Sequence, residues 1–265
     1  MMWKRFFSVV LLVAIASLMH AQSAPQTTVT LISENSAAAP GSPVAVAIQF
    51  QIEPGWHIYW MNPGDAGQAP SVQWTLPSGW SASALEWPAP FRLTNAAGVD
   101  YGYEGQVTLL TKLKVPATAK PGPANLHADV KWLVCKEQCI PQKTQAQLNL
   151  NVAAKSAMDP DAKPQFTAAR SKLPKSIPAE WKANVLSNPR QLLLNFMPGA
   201  KVEQAVFFPA EPQVIDNASE QKLSATSMRA QIALDRFKGV KKPAALKGVL
   251  VLNGAEAYNV NLPIK

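Results

Sequence analysis

The chain has 265 residues, a formal net charge of +8 and a hydrophobic content of 48%. This length is enough for two small β domains or one large one. The basic residues are dispersed rather than collected in a run with interleaved aromatic residues. That distribution argues against a nucleic-acid-binding face, and we predict no nucleic-acid partner.

The N-terminal segment predicts export across a membrane. A basic pair, Lys4-Arg5, precedes an apolar run from Phe6 to Leu18. This run is shorter than the roughly 20 residues of a membrane-spanning helix, so residues 1–21 are predicted to be a cleaved secretory signal peptide. Cleavage after Ala21 is preferred, and cleavage after Ala24 or retention as an anchor are the alternatives. The mature chain has no other stretch of transmembrane length and is expected beyond the membrane, where disulfides persist.

Alternating and β-branched runs dominate residues 25–153. The first two, Thr27–Ile32 and Val44–Ile52, have the alternation of half-buried antiparallel strands. Similar runs follow at Ser71–Leu76, Ser83–Trp87, Gln106–Val115, Ala124–Val134 and Thr144–Val152. Several short strands with Pro- and Gly-containing turns between them predict an all-β fold, a β-sandwich.

Residues 154–180 interrupt this pattern. Asp159–Pro164 opens a short helical pattern that continues through Phe166 and Leu173 and is ended by Pro174. We predict a linker with one short helix and place the domain boundary here.

Strand patterns resume over residues 181–265 and predict a second, smaller β-sandwich-like domain. The runs are Trp181–Leu186, Gln191–Phe196, Glu203–Phe208, Met228–Leu234, Leu246–Leu252 and Ala257–Leu262. Asn253-Gly254 between the last two is a strong hairpin signal. This part contains neither cysteine nor histidine and is interpreted as a structural or docking module.

The two cysteines of the chain, Cys135 and Cys139, are separated by only three residues. A disulfide that closes such a small ring stabilises a protein by about 2 kcal/mol, against roughly 4.7 kcal/mol for a 100-residue loop. The pair is therefore a poor choice for a stabilising bridge, and a hairpin between two strands would bring the sulfurs together. Lys131, Lys136 and Lys143 would favour a thiolate there, whereas Glu137 would oppose it.

The residues alone leave three possible functions open for this cysteine pair. They are redox exchange, a structural disulfide in a binding or scaffold module, and copper or zinc handling through the thiols. Only His57 and His127 could join the thiols as ligands beyond residue 21, and neither has a ligand-like spacing. We therefore predict no resident metal and no cofactor.

Two aromatic segments precede the cysteines. Gly55–Trp60 is followed by Asn62–Gly67, and these aromatic side chains are interpreted mainly as core or loop anchors. Asp100–Glu104 is predicted to form an aromatic turn whose rings could cover a reactive sulfur.

These two segments and the stretch Trp132–Pro141 occur in an order and spacing that resemble the N-terminal periplasmic domain of the thiol:disulfide interchange protein DsbD, most closely its ScsB-like branch. The resemblance covers residues 25–153, and residues 154–265 resemble the ScsB-type extension less specifically. It implies an immunoglobulin-like redox domain in the periplasm, related to cytochrome c biogenesis. Its expected partners are periplasmic thioredoxin-fold proteins and a separate membrane-embedded electron donor, because the chain carries no membrane domain of its own.

The resemblance also implies roles for individual residues. Cys135 and Cys139 match the redox pair, with the mixed disulfide expected at Cys139 and resolution by Cys135. Asp100, Tyr101 and Gly102 match the loop that caps the pair, and Tyr103 and Trp132 are taken as supporting residues. The chain departs from better-known members in the short gap between its cysteines and in having Asp100, not phenylalanine, before Tyr101.

Overall fold

The computed structural model describes residues 27–95 and 98–265, and the predicted signal peptide lies outside these residues. Among the described residues, strands account for 56% and helices for 5%, which confirms the all-β prediction. The strands form four sheets, two in each half of the chain.

The first half is an immunoglobulin-like sandwich, as predicted. Its strands are β1 (Thr28–Ser33), β2 (Asn35–Ala38), β3 (Pro43–Gln51), β4 (His57–Gly64), β5 (Ser71–Thr75), β6 (Ser81–Ala82), β7 (Phe91–Asn95), β8 (Gly98–Glu104), β9 (Gln106–Lys114), β10 (Gly122–Cys135), β11 (Cys139–Val152) and β12 (Ala157–Met158). One sheet has the order β1-β3-β9-β6. The other has the order β12-β2-β11-β10-β4-β8-β7, and β5 also pairs with β10.

Two strands of the larger sheet differ from the sequence-based expectation. The predicted aromatic turn at residues 100–104 is part of β8, and the aromatic segment that begins near Gly55 contains β4. In β4 the aromatic residues lie on both faces and Trp60 enters the core, whereas in β8 both tyrosines, Tyr101 and Tyr103, lie on the core face. Conversely, the run predicted as a strand at Ser83–Trp87 makes only an isolated bridge, from Glu86 to Leu110.

The predicted connector helix is present as α1 (Lys163–Ser171). Its buried residues Phe166 and Ala169 pack against Ala47 and Leu110, on the face of the smaller sheet that points away from the sandwich core. The helix is therefore attached to the first half of the chain. Strand β12, which lies in the predicted linker, also pairs with a strand of the first half.

The second half contains two four-stranded sheets around its own core. Its strands are β13 (Lys175–Ser176), β14 (Asn184–Ser187), β15 (Gln191–Phe196), β16 (Ala205–Pro209), β17 (Lys222–Ala225), β18 (Ala230–Asp235), β19 (Ala245–Leu252) and β20 (Glu256–Pro263). The orders are β13-β20-β19-β16 and β14-β15-β18-β17. The predicted hairpin joins β19 to β20, and Asn253 and Gly254 both have the positive φ that such a turn requires.

The apolar contact between the two halves includes one face of β16 and β19. Phe207 lies in the core of the second half, whereas the next residue, Phe208, joins the core of the first. The Phe208 ring packs edge-on against Tyr101 at 5.3 Å and against Trp60 at 6.3 Å. Adjacent side chains of one strand thus pack into two different hydrophobic cores.

Candidate functional site

The cysteine pair lies at the tip of the hairpin formed by β10 and β11. Cys135 is the last residue of β10, Cys139 is the first residue of β11, and the two face each other directly in the antiparallel register. Their sulfurs form a disulfide, and their Cα atoms are 4.1 Å apart. The hairpin thus supplies the short separation that a bridge across a three-residue loop requires.

The two sulfurs differ in environment. Cys135 is a buried residue with only 2% of its surface accessible, whereas Cys139 is exposed. Thiol–disulfide exchange requires a thiolate to reach one sulfur of the disulfide. A second protein can therefore approach Cys139 far more readily than Cys135.

Tyr59 is the residue that contacts both sulfurs. Its hydroxyl donates a hydrogen bond of 3.0 Å to Cys135 Sγ and lies 3.6 Å from Cys139 Sγ. Burial, together with the nearby negative charge of Asp100, raises the pKa of Tyr59 to about 12. The hydroxyl therefore stays protonated at neutral pH and can donate to a sulfur atom.

The strand register explains how Tyr59 reaches the disulfide. Cys135 is paired with His57 of β4, and Tyr59 lies two residues further along on the same face. On the other side of β4, Tyr59 is paired with Gly102 of β8. A Cβ atom at residue 102 would lie 2.2 Å from the carbonyl oxygen of Ile58, so only glycine allows the two strands to approach this closely.

His57 lies between the disulfide and an acidic residue. In register it is flanked by Cys135 on β10 and Glu104 on β8, and its ring packs edge-on against Tyr59 at 5.3 Å. Its Nε2 atom is buried without a hydrogen-bond partner. Burial lowers the pKa of His57, although Asp100 and Glu104 oppose this shift.

Three aromatic residues predicted to cover or support the pair lie in the sandwich core. Tyr101, Tyr103 and Trp132 belong to the main buried cluster. The Tyr101 hydroxyl donates to Asn217, and the Tyr103 hydroxyl donates to the carbonyl of Pro88, each at 2.8 Å. Strand alternation places Tyr101 and Tyr103 on the face opposite Gly102, and hence opposite Tyr59.

Asp100 and Gly102 lie on the Tyr59 face of β8. Asp100 is buried, and its carboxylate accepts hydrogen bonds from the backbone of Ala66 at 2.9 Å and from Asn95 at 2.7 Å. Asp100 thus holds the turn that follows β4. The structure brings Cys135 and Cys139 together with Tyr59 and His57, and the predicted cap role of residues 100–103 and Trp132 stays a prediction.

Sequence reasoning did not assign Tyr59 or His57 to the site. The available signal was the alternation in β4, where Ile58 and Trp60 enter the core and His57 and Tyr59 point to the other face. Recognising β4 as a strand would have placed both residues on one face. Their contact with cysteines more than 70 residues away depends on the pairing of β4 with β10.

The lysines near the pair lie at different distances from it. Lys136 follows Cys135 directly, and its ammonium group lies against the turn at Gly55. Lys131 and Lys143 are each four residues from a cysteine, about 13 Å along a strand. That distance exceeds the Debye length of about 8–10 Å at physiological salt, so their effect on a thiolate is largely screened.

Two further findings concern the described residues only. No group of three or more His, Cys, Asp and Glu side chains is arranged to hold a metal ion in residues 27–95 and 98–265. Within the same residues, every helix is too short or too polar to cross a bilayer.

Fold and site together define a β-sandwich domain with a cross-strand cysteine pair at an exposed hairpin tip. Residues 28–151 match the family model described as thiol:disulfide interchange protein DsbD, N-terminal. Among solved structures, the N-terminal periplasmic domain of ScsB from Proteus mirabilis is similar, with a TM-score of 0.68 and 22% identity over 88% of this chain and 91% of that chain. The Neisseria meningitidis DsbD N-terminal domain in its reduced form aligns with 49% of this chain and 88% of its own, at 14% identity and a TM-score of 0.30. A comparison with curated proteins gives no significant match.

Residues 28–151 are therefore a DsbD N-terminal-like domain, which confirms the resemblance found in the sequence. The ScsB domain, at 22% identity, shares its fold with most of the chain, including the second half.

The position of His57 predicts a pH dependence of stability. Because the folded protein lowers the pKa of His57 from its ordinary value of 6.5, the unfolded chain binds more protons in this range. The free energy of unfolding should rise as the pH increases from below the folded pKa of His57 to above 6.5. This contribution of His57 to stability should be lost again as the pH falls through the same range. Urea unfolding from pH 5 to 8 should show a flatter profile for His57→Gln than for the wild type. His127→Gln is the matched control, and an unchanged profile in His57→Gln would contradict the assignment.

Proposed function

We propose that this protein is a periplasmic thiol:disulfide exchange module that relays reducing equivalents through Cys135 and Cys139. The observation that carries the proposal is the asymmetric disulfide, which joins an exposed Cys139 to a buried Cys135 that accepts a hydrogen bond from Tyr59. A bridge that only stabilised the fold would gain little from so small a ring. An exposed sulfur bonded to a stabilised leaving sulfur suits exchange with another protein.

The exchange proceeds through one mixed disulfide. A partner thiolate attacks Cys139 Sγ, the bond to Cys135 breaks, and the electron pair moves to Cys135 Sγ. The Tyr59 hydroxyl, 3.0 Å from that sulfur, stabilises the resulting thiolate. The second thiolate of the partner then attacks the partner sulfur of the mixed disulfide and releases Cys139 as a thiolate. The partner becomes a disulfide, the pair becomes a dithiol after taking up two protons, and the reverse sequence reduces a partner disulfide.

The proposed partners are periplasmic thioredoxin-fold proteins, and the proposed electron donor is a separate membrane-embedded protein. The match of residues 28–151 to the DsbD N-terminal family supports a thiol-redox partner. The similar ScsB domain is described as periplasmic, and a signal peptide over residues 1–21 would export this chain to the same compartment. Thioredoxin-fold proteins present an exposed reactive cysteine, which could approach the exposed residue Cys139.

Single-cysteine variants test the assigned roles. With Cys135→Ser, the remaining exposed thiol should form a lasting mixed disulfide with oxidised glutathione, and with a thioredoxin-fold protein whose resolving cysteine is replaced by serine and whose attacking cysteine carries glutathione. In both cases no second thiol is left on either side to resolve the adduct. With Cys139→Ser, adduct formation should be at least about tenfold slower, since the remaining thiol is buried. Non-reducing electrophoresis and intact-mass measurement detect both adducts.

The alternative function is a binding or scaffold module in which the disulfide only fixes the hairpin. Its supporting observation is the burial of Cys135. If Cys135→Ser forms adducts no faster than Cys139→Ser, or if neither variant reacts in the folded state, the exchange proposal is wrong and this alternative gains support.

The Tyr59 hydroxyl is expected to set the rate at which the disulfide opens. A hydrogen bond to a charged group contributes about 1.5–3 kcal/mol, so Tyr59→Phe should slow reduction of the disulfide by glutathione about 10- to 100-fold. Tyr258→Phe is the matched control, because it removes the hydroxyl of a buried tyrosine in the core of the second half. Rate constants measured at neutral pH under native conditions compare the two variants. An equal change of the rate constant in both variants would show that the Tyr59 hydroxyl has no specific role in the exchange.

A further inference from the structure

A buried asparagine of the second half is bonded to three residues of the first half. Asn217 is only 6% exposed. Its side-chain amide donates to Asp65 Oδ1 at 2.7 Å, and its side-chain oxygen accepts the Tyr101 hydroxyl at 2.8 Å. Its backbone carbonyl accepts a hydrogen bond from Arg92 at 2.6 Å. Because a carboxylate only accepts and the amide nitrogen only donates, Asp65 fixes the orientation of the Asn217 amide.

Asp65 continues this network into the turn that follows β4. Its second carboxylate oxygen accepts the backbone N–H of Val99 at 2.8 Å, and its own N–H donates to the carbonyl of Val99 at 3.1 Å. The next residue, Ala66, donates its N–H to Asp100. The turn at residues 65–67 is thus held to β8 at its first two residues, and Asn217 holds the Asp65 carboxylate from the opposite side.

The third residue of this turn supports the ring of Tyr59. A Cβ atom at Gly67 would lie 2.2 Å from two ring carbons of Tyr59, so the backbone of the turn is in direct contact with the ring. The hydroxyl of that ring is the group bonded to Cys135 Sγ. Hydrogen bonds weaken steeply with distance and angle, so a small movement of the turn would weaken the contact with the sulfur.

We propose that Asn217 is a positioning residue for thiol–disulfide exchange: it holds the Asp65–Gly67 turn against Tyr59, which keeps the Tyr59 hydroxyl on the Cys135 sulfur. The inference rests on the proposed exchange function and deepens it, because it makes the second half of the chain part of the redox site. The path from Asn217 to the sulfur consists of hydrogen bonds and one packing contact, each present in the structure.

A double-mutant cycle tests this role. Asn217→Ala should slow reduction of the disulfide by glutathione about three- to tenfold, and it should have no further effect when Tyr59 is already phenylalanine. Ile232→Val, a change in the buried core of the second half away from the network, is the control for a general loss of stability and should leave the rate unchanged. An Asn217→Ala effect that is as large in the Tyr59→Phe background as in the wild type would overturn the inference. An effect matched by Ile232→Val would do the same.

Exchanging the two network residues provides a rescue. Asn217→Asp alone places two carboxylates together and should slow reduction at least as much as Asn217→Ala. Adding Asp65→Asn restores one donor and one acceptor across the same contact, and the rate should return to within about twofold of the wild type. A double variant as slow as Asn217→Asp would contradict a role for this contact. The rescue remains informative if Asn217→Ala fails to fold.

A readout without redox chemistry separates this inference from the proposed function. Hydrogen exchange of the Ala66 amide, which is bonded to Asp100, should be faster in Asn217→Ala and unchanged in Ile232→Val. If the wild-type pair does not exchange with glutathione at all, the proposed function fails, and the amide measurement still decides whether Asn217 fixes the turn. If the wild type exchanges but Asn217→Ala changes neither rate, only the inference about Asn217 fails.

Discussion

The hydrogen bond from Tyr59 to the buried sulfur of Cys135 is the interaction on which the proposed exchange function depends. It makes the two ends of one disulfide unequal, because Cys139 is exposed to solvent and Cys135 is covered by a protonated hydroxyl. Exchange needs such inequality: the attacked sulfur must be reachable, and the leaving sulfur must be stable as a thiolate. In the proposed exchange, a single phenol on a neighbouring strand supplies the hydrogen-bond donor to the leaving sulfur.

The β-sandwich supplies this arrangement through strand alternation. Ile58 and Trp60 of β4 enter the core, and His57 and Tyr59 face the disulfide. The rigid core thereby fixes the position of the tyrosine backbone, while the turn at residues 65–67 supports its ring. The second half of the chain contributes Phe208 to the same core and Asn217 to that turn. Side chains from both sandwiches thus contact the core and the turn that lie beside the disulfide.

The sequence predicts those parts of the structure that depend on local residue patterns. The hairpin turn at Asn253-Gly254 and the connector helix around Phe166 follow from turn chemistry and from helical periodicity. The strands β4 and β8 were not predicted, because continuous aromatic residues and nearby glycines obscure their alternation. Tyr59 and Asn217 lie 76 and 82 positions from Cys135 in the chain, so only strand pairing and packing of the two halves reveal their roles. The family resemblance identified the cysteines but not these two residues.

The proposed exchange requires that a reductant reach the disulfide while the protein remains folded. The most direct measurement is the rate of reduction by a small thiol as a function of urea concentration, followed by thiol labelling and mass. If the folded protein reacts, the rate should be proportional to the thiol concentration and nearly independent of urea below the unfolding transition, because Cys139 is already exposed. A rate that saturates with thiol and rises with urea in proportion to the population of unfolded protein would show that the bridge opens only on unfolding, and would contradict exchange in the folded state.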